Sequence, residues 1–353
     1  MSESMAPNER FVNTGEVLLE VKNLKKYFPI ERGFIRKKVG EVKAVDDVSI
    51  YINQNETLGL VGESGCGKTT LGRCIMRALD ASSGEILFHL DLKKPPVDIL
   101  KLNKKELLEI RRNMAIIFQN PYSSLNPRMT ILDIVGEPLL LNGIDKDEIP
   151  ERVKELVAMV GLEIRALNRY PHAFSGGQRQ RIGIARALAL KPRFVVSDEA
   201  VSALDVSIQA QILNLLQDLK ETMRPTFLFI AHDLSVIEHV SDRVGVMYVG
   251  RLVELAPTEE IYLKPRHPYT EALLSSIPRA EPGVKMNRIL LPGEVANAAD
   301  LPQGCCFHPR CRYCQDRCKT EVPPLEEISF GHYVSCHRAG DLELRGVIES
   351  DTN

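Results

Sequence analysis

Eight residues, Gly62-Glu63-Ser64-Gly65-Cys66-Gly67-Lys68-Thr69, follow the spacing G-x-x-x-x-G-K-[ST]. Glycines so placed let backbone N–H groups turn inward around phosphate oxygens, and a helix opening behind them adds the positive end of its dipole. Lys68 can then reach β- and γ-phosphates, and the Thr69 hydroxyl can ligate Mg²⁺. A chance glycine-rich turn would carry the same letters. What separates the two is context, and TLGLV (57–61) reads as a strand before the loop while LGRCIMRAL (71–79) reads as a helix after it. Cys66 and Cys74 in this region read as small packing residues.

Two more sets of reactive side chains end apolar runs. RFVVSDEA (193–200) supplies Asp198, placed to hold Mg²⁺, and Glu199, placed to polarise an attacking water. PTFLFIAHD (225–233) presents His232, placed to touch a γ-phosphate. Adjacent acids on a loop are usually solvated charge, and a lone histidine is usually structural. Both bland readings weaken in a chain that already has a phosphate loop, because phosphoryl transfer is mainly positioning and charge neutralisation. A fourth set, CCFHPRCRYCQDRC (305–318), holds five of the eight cysteines, and Cys336 follows it.

The elements behind these residues share one pattern. Short continuous apolar runs alternating with helical stretches predict buried strands of a parallel sheet. Ligands of open α/β sheets bind beyond the carboxyl ends of the strands, so the three polar tails are expected on one edge.

The chain has 353 residues, 44% apolar and 26% charged, enough for one large core with an appendage or two modest domains. A net charge of −2 disfavours a nucleic-acid partner. The segment MSESMAPNERFVNTGE carries acids and no apolar h-region, and reads as a disordered tail rather than a signal peptide. No run approaches the roughly 18 apolar residues of a membrane span. A cytosolic chain with reduced thiols is expected, which sets aside a disulfide role for the cysteines.

Taken together, these pieces resemble a known family. HAFSGGQRQRIGIARALALKPRFVVSDEAVSALD (172–205) carries SGGQ at Ser175 to Gln178 before the acid pair and SALD at Ser202 to Asp205 after it. With the phosphate loop and His232, this order closely resembles the ATP-binding subunit of an ABC transporter, over roughly residues 16–340. The resemblance implies an α/β fold: a P-loop ATPase domain with a mostly parallel RecA-like sheet, an antiparallel β subdomain and a helical subdomain. It places a tail at 1–15, the ATPase domain at 16–265 with the helical subdomain near 120–190, a cysteine-containing extension at 266–340 and a second tail at 341–353.

The resemblance also assigns residues. ATP would be bound by Gly62 to Thr69 with Thr70, and an aromatic before the loop, Phe28 with Tyr27 close behind, would stack on adenine. Mg²⁺ would be held by Thr69, Gln119 and Asp198, with Gln119, Glu199 and His232 in catalytic roles. Gln119 would also link the sheet to a helical subdomain that docks on membrane subunits. Ser175 is a natural N-cap for the helix after it, and Gly176 and Gly177 expose its first amides. In the family Ser175, Gly176, Gly177 and Gln178 close on the γ-phosphate held by the opposite subunit. Acid-pair strands there commonly continue Asp-Glu-Pro-Thr, whereas this one continues Ala200-Val201, neither of them a position that performs chemistry.

Three features narrow the resemblance. PIERGFIRKKVGEVKAVDDVS lengthens the first hairpin, FQNPYSSLNPRMT surrounds Gln119, and HPYTEALLSSIP leads through a glycine–proline-rich connection to the cysteines. They resemble the second, F-type, ATPase of bacterial dipeptide, oligopeptide and nickel importers. Such a subunit implies a D-type sister ATPase as heterodimer partner, two permeases, an extracytoplasmic solute-binding protein, and a peripheral place on the cytoplasmic face of the plasma membrane. Nickel, sugar or opine uptake would use the same ATPase. A non-transport ABC ATPase fits less well, since neither a long coiled coil nor a second phosphate loop is present.

The cysteines admit two metals. Cys311 and Cys314 have C-x₂-C spacing, and Cys318, His308 or Cys305 could complete a zinc tetrahedron. The importer ATPases carry Cys-x₅-Cys-x₆-Cys-x₁₇-Cys, which Cys305, Cys311, Cys318 and Cys336 match, and some hold a [4Fe–4S] cluster on those four thiolates. Cys306 and Cys314 would then be spare. The resemblance favours the cluster, with a structural or regulatory role.

Overall fold

The apolar positions Leu19, Val21 and Leu24 and, across from them, Val45, Val48 and Ile50 are fully buried, and they pair two long strands into the hairpin that begins the described chain. The computed structural model describes residues 16–32, 37–91, 93–277 and 288–347. The tail expected at 1–15 lies outside the described residues, as does the end of the tail expected at 341–353 from 348 onward. The strands are β1 (Val17–Arg32), β2 (Lys37–Asn53), β3 (Thr57–Val61), β4 (Ser83–Phe88), β5 (Val97–Asp98), β6 (Met114–Ile117), β7 (Phe194–Asp198), β8 (Thr226–Ile230), β9 (Arg243–Tyr248), β10 (Arg251–Pro257), β11 (Glu326–Ser329) and β12 (His332–Val334). The chain divides into two compact units, one drawing on residues up to 53, 57–100 and 232 onward, the other on 54–56 and 101–231.

The first unit carries a four-stranded antiparallel sheet in the order β2-β1-β4-β5. β1 and β2 stay paired from Val17 opposite Asn53 to Arg32 opposite Lys37, so the inserted residues do lengthen the first hairpin. A second run of strands, β11-β12-β10-β9-β3, is antiparallel except where β3 runs parallel to β9, Leu58 opposite Arg243. All five residues of β3 are buried, which is why its sequence is apolar without alternation. The helix after the phosphate loop spans Lys68–Ile75 and stops before the end of LGRCIMRAL, because Arg77 turns left-handed at φ 48°. The extension expected from residue 266 packs within this same unit.

The second unit holds β6, β7 and β8 in parallel, in the order β8-β7-β6, with β7 and β8 buried at every position. Within the span expected for a helical subdomain, the helices Ile131–Leu141, Ile149–Met159 and Gly176–Leu188 pack on one another. Gly136 lets the first two approach closely, since a Cβ there would stand 2.7 Å from Ile149 Cγ2.

Candidate nucleotide site

β3 delivers the chain to a loop that only glycine can complete. Gly62, Gly65 and Gly67 have φ of 149°, 80° and 106°, a region that side chains rarely adopt. Space is as decisive as conformation, because a Cβ on Gly62 would lie 2.2 Å from the Met247 carbonyl oxygen and one on Gly67 2.0 Å from that of Ala44. Lys68, 4% exposed, turns its ammonium back into the loop and donates to the carbonyls of Gly62 at 2.7 Å and Glu63 at 3.2 Å. Thr69 and Thr70 follow it in the first helical turn. Cys66 and Cys74 are buried, and burial holds both thiols above their ordinary range, Cys74 at about 11, as expected of packing residues.

Two contacts at this loop have no signature in the motif. The Tyr269 hydroxyl accepts the Glu63 N–H at 2.8 Å, and Arg310 donates to both oxygens of the Glu63 carboxylate, at 2.7 and 3.1 Å. Tyr269 lies in HPYTEALL and Arg310 between cysteines, where nothing about either residue type signals a partner about 200 residues or more away. On β1, Tyr27 is committed to Asp46, whose other oxygen accepts two bonds from Arg251. The Phe28 ring is exposed, with the Lys26 ammonium 4.8 Å from its centre. Of the two aromatics, Phe28 is the more exposed.

In the second unit, β7 ends at Asp198, 4% exposed, opposite Ile230 of β8. Glu199 then takes φ 49°, an uncommon left-handed conformation for a side-chain-bearing residue, and its N–H bonds the Ile230 carbonyl at 3.0 Å. Gln119, just beyond β6, donates from Nε2 to Glu199 Oε2 at 2.6 Å and to Ser202 Oγ at 3.4 Å, while Ser202 Oγ donates to the Glu199 carbonyl at 2.9 Å. Two residues taken from separate stretches thus meet. Ala200 and Val201, which replace the family's Pro-Thr, are buried at 1% and 3% exposure and serve as packing. His232 follows β8 by two residues, in the first unit, and Asp233 beside it caps the helix Leu234–Val240.

Ser175 caps the helix Gly176–Leu188 by the reciprocal arrangement its sequence suggests: its hydroxyl accepts the Gln178 N–H, and the Gln178 side chain accepts the Ser175 N–H. Gly177 is demanded by packing, since a Cβ there would stand 2.4 Å from Ile208 Cγ2 on the helix Val206–Met223. Gly176 is under less packing constraint, since a Cβ there would meet nothing closer than the Tyr122 hydroxyl at 3.4 Å.

All eight cysteines are free thiols. Cys305 donates its N–H to the Cys318 carbonyl at 2.9 Å, which brings together the ends of the fourteen-residue segment. Burial pushes Cys311 up to about 12 and Cys336 up to about 11, and neighbouring thiols add to it: Cys311 feels Cys336 and Cys305, and Cys336 feels Cys305 and Cys318. The four thiols therefore share one neighbourhood, though among the described residues no three His, Cys, Asp or Glu side chains stand in a metal-holding arrangement. Cys306, 6% exposed, feels Cys305 before Arg251 and Asp46, and Cys314 feels Cys318 and acts on Cys305 and Cys311, so both also lie near the other thiols. A pocket of about 560 Å³ opens in the second unit, lined by Met114, Phe118, Ser124, Glu137, Pro138 and Arg186. Among the described residues no helix is long and apolar enough to cross a membrane.

With this geometry in hand, likeness to known proteins is informative. Residues 45–202 match the family described as ABC transporter, and residues 253–318 match the oligopeptide/dipeptide transporter C-terminal region. The oligopeptide transport ATP-binding protein AppF of Bacillus subtilis (strain 168) is 50% identical over 326 residues, covering 91% of this chain and 97% of its own. The probable peptide ABC transporter ATP-binding protein y4tS of Sinorhizobium fredii is 49% identical, covering 91% and 90%. Among solved structures, the dimeric post-hydrolysis state of the ATP-binding cassette MJ0796 with ADP and Pi superposes with a TM-score of 0.59 at 28% identity, over 68% of this chain and 99% of that one. CbiO1 of Clostridium perfringens, part of the ABC transporter complex cbiONQ, gives 0.59 at 25% identity, over 70% and 91%.

Proposed function

We propose, for a chain that belongs to the oligopeptide/dipeptide branch of the ABC-transporter ATP-binding proteins, the residues and partners through which its ATPase activity drives uptake. It is the ATP-binding and hydrolysing subunit of an importer of peptides or a related solute. The observation that carries the catalytic assignment is the 2.6 Å bond from Gln119 to Glu199. A carboxylate fixed in direction by that bond and by its own left-handed backbone is suited to take a proton from a water.

Glu199 is accordingly the base that polarises the attacking water, Gln119 orients it, and His232 contacts the γ-phosphate. Lys68 exchanges its bonds to the Gly62 and Glu63 carbonyls for phosphate oxygens, and the loop from Gly62 to Thr70 cradles the rest, the Glu63 N–H staying with the Tyr269 hydroxyl. Phe28 stacks on adenine. A hydroxyl, an amide and a carboxylate, from Thr69, Gln119 and Asp198, are the hard oxygen donors Mg²⁺ takes; when bound, the ion neutralises phosphate charge. Ser175, Gly176, Gly177 and Gln178 meet the nucleotide of the opposite ATPase subunit. Glu199→Gln should bind ATP normally while turnover falls by about 10²–10⁴. Near-normal hydrolysis by that variant in the assembled transporter would reject the assignment.

The subunit works with membrane permeases and within an ATPase dimer; we assign the dimer partner as a D-type sister subunit and the complex as one served by an extracytoplasmic binding protein, with this chain on the cytoplasmic face. The pocket beside β6 and Gln119 supports docking of a permease segment on the helical subdomain. Cys305, Cys311, Cys318 and Cys336 supply four thiols in one neighbourhood, the donor set of a [4Fe–4S] cluster. One anaerobic purification tests both: two permeases and a sister ATPase should copurify, with about four irons per chain lost in Cys318→Ser but not in Cys314→Ser. A colourless complex with one zinc would replace the cluster by zinc, and ribosomes or DNA-end factors in place of permeases would overturn the partner assignment.

A further inference from the structure

Glu63 is an unexpected residue to find in a loop that binds a polyanion. It stands directly after Gly62, its backbone N–H is held by the Tyr269 hydroxyl, and its own carbonyl accepts from Lys68. Left alone, its carboxylate would add negative charge beside the triphosphate, and partly buried charges are only weakly screened by salt. The structure answers that charge from outside the loop. Arg310 grips both carboxylate oxygens in the two-pronged geometry only a guanidinium offers, at 2.7 and 3.1 Å. Arg310 is 7% exposed, and its guanidinium carbon lies 5.9 Å from the centre of the Tyr248 ring. Tyr248, Tyr269 and Phe307 form a tilted and edge-on aromatic cluster with ring centres 4.8 to 5.4 Å apart. The cluster fixes the cationic arm and the loop's tyrosine together, and Phe307 and Arg310 both come from the cysteine segment.

We propose that Arg310 is a positioning residue of the nucleotide site: it neutralises the Glu63 carboxylate and draws it away from the phosphates, so that the affinity for ATP is set in part by the cysteine-bearing extension. The inference rests on the reading of Gly62 to Thr69 as the phosphate loop for ATP. An ion pair that merely holds the fold together would have the same geometry, but it would respond differently when the charge it answers is removed. Without Arg310, the unanswered carboxylate repels ATP. Without both charges, repulsion disappears although the bond is still missing.

The test compares KM and kcat for ATP in the assembled transporter carrying each variant, with the unfolding midpoint measured alongside. Arg310→Ala should raise KM about tenfold, with a smaller effect on kcat and a larger defect at low salt. Adding Glu63→Gln to that variant should return KM to within about threefold of the parent, since no charge remains to repel nucleotide. Arg310→Lys should fall between, supplying charge without the fork. The proposal is overturned if Arg310→Ala leaves KM within about twofold of the parent, or if Glu63→Gln fails to rescue it. Should Arg310→Ala not fold, Arg310→Gln with and without Glu63→Gln poses the same question with a side chain that still fills the site. Hydrolysis that survives Lys68→Ala would overturn the reading of the loop itself, which these comparisons otherwise leave standing.

Discussion

The phosphate loop and the cysteine-bearing extension lie in one compact unit, yet they are built in opposite ways. The loop's requirements sit inside eight residues: three glycines with positive φ and a lysine that folds back on two loop carbonyls. The extension has few local rules. It is held by a buried polar centre in which Glu254 of β10, with no exposed surface, accepts the Arg266 and His267 N–H groups and stands 2.8 Å from His332 Nε2 of β12. Gly304 adds a backbone contact, since a Cβ there would lie 2.5 Å from the Cys318 carbonyl oxygen. Arg310 apart, the loop serves binding and the extension serves cohesion, so damage to the rest of each should show in a different measurement.

The strongest separation is expected from Glu254→Ala. It strands two amides and His332 in a site without solvent, and breaking a buried pair of this kind costs about 3–5 kcal/mol. Denaturant unfolding of the purified chain should show that loss as a lower midpoint with unchanged slope. ATP binding should be lost in the same transition rather than before it. Binding that outlasts the unfolding of the extension would mean that the two regions are separate cooperative units, and the comparison would break.

His267 gives the extension a pH signature. Full burial lowers its pKa from 6.5 to about 4, against the weaker opposing pull of Glu254. Between those values the unfolded chain takes up a proton that the folded chain refuses. Stability is therefore whole above pH 6.5 and falls as the pH drops toward 4, by up to about 3 kcal/mol. His267 Nδ1 also caps its helix by accepting the Tyr269 N–H at 3.0 Å. His267→Asn keeps a capping oxygen and removes the titration, so its stability should be flatter across this range. An unchanged slope in the variant would assign the acid sensitivity to another group.

These two regions also mark how far the sequence could be read. β3, β7 and β8 were legible because strands buried on both faces are near-continuous apolar runs, with polar residues only at or beside their ends. The loop was legible because its spacing encodes its geometry; the resemblance named Gln119 and Glu199 separately, and their hydrogen bond is added by the fold. The packing demand on Gly177 was not legible, because a glycine required by Ile208 looks the same in sequence as one required by a phosphate. Arg310 was invisible: its partner is Glu63, nearly 250 residues earlier in the chain, and only the fold closes that distance.

Gly67→Ala should have the smallest effect on stability and so tests the comparison from the loop's side. Its φ of 106° and the 2.0 Å approach of a Cβ to the Ala44 carbonyl oxygen mean that the native loop cannot accept the methyl group. The loop can relieve the clash by moving locally, so the cost is that of a strained backbone residue, about 1–3 kcal/mol. A displaced loop no longer aims its amides or Lys68 at phosphate, and cradles of this kind depend on placement more than on any single bond. The expected outcome contrasts with that of Glu254→Ala: a smaller drop in the unfolding midpoint, with ATP binding already lost in the folded protein. Titration with a fluorescent ATP analogue and a denaturation curve on the same sample decide it. A variant that binds nucleotide as the parent does would show that the loop tolerates a second geometry, and a variant that unfolds as readily as Glu254→Ala would show that the loop carries cohesion as well as binding.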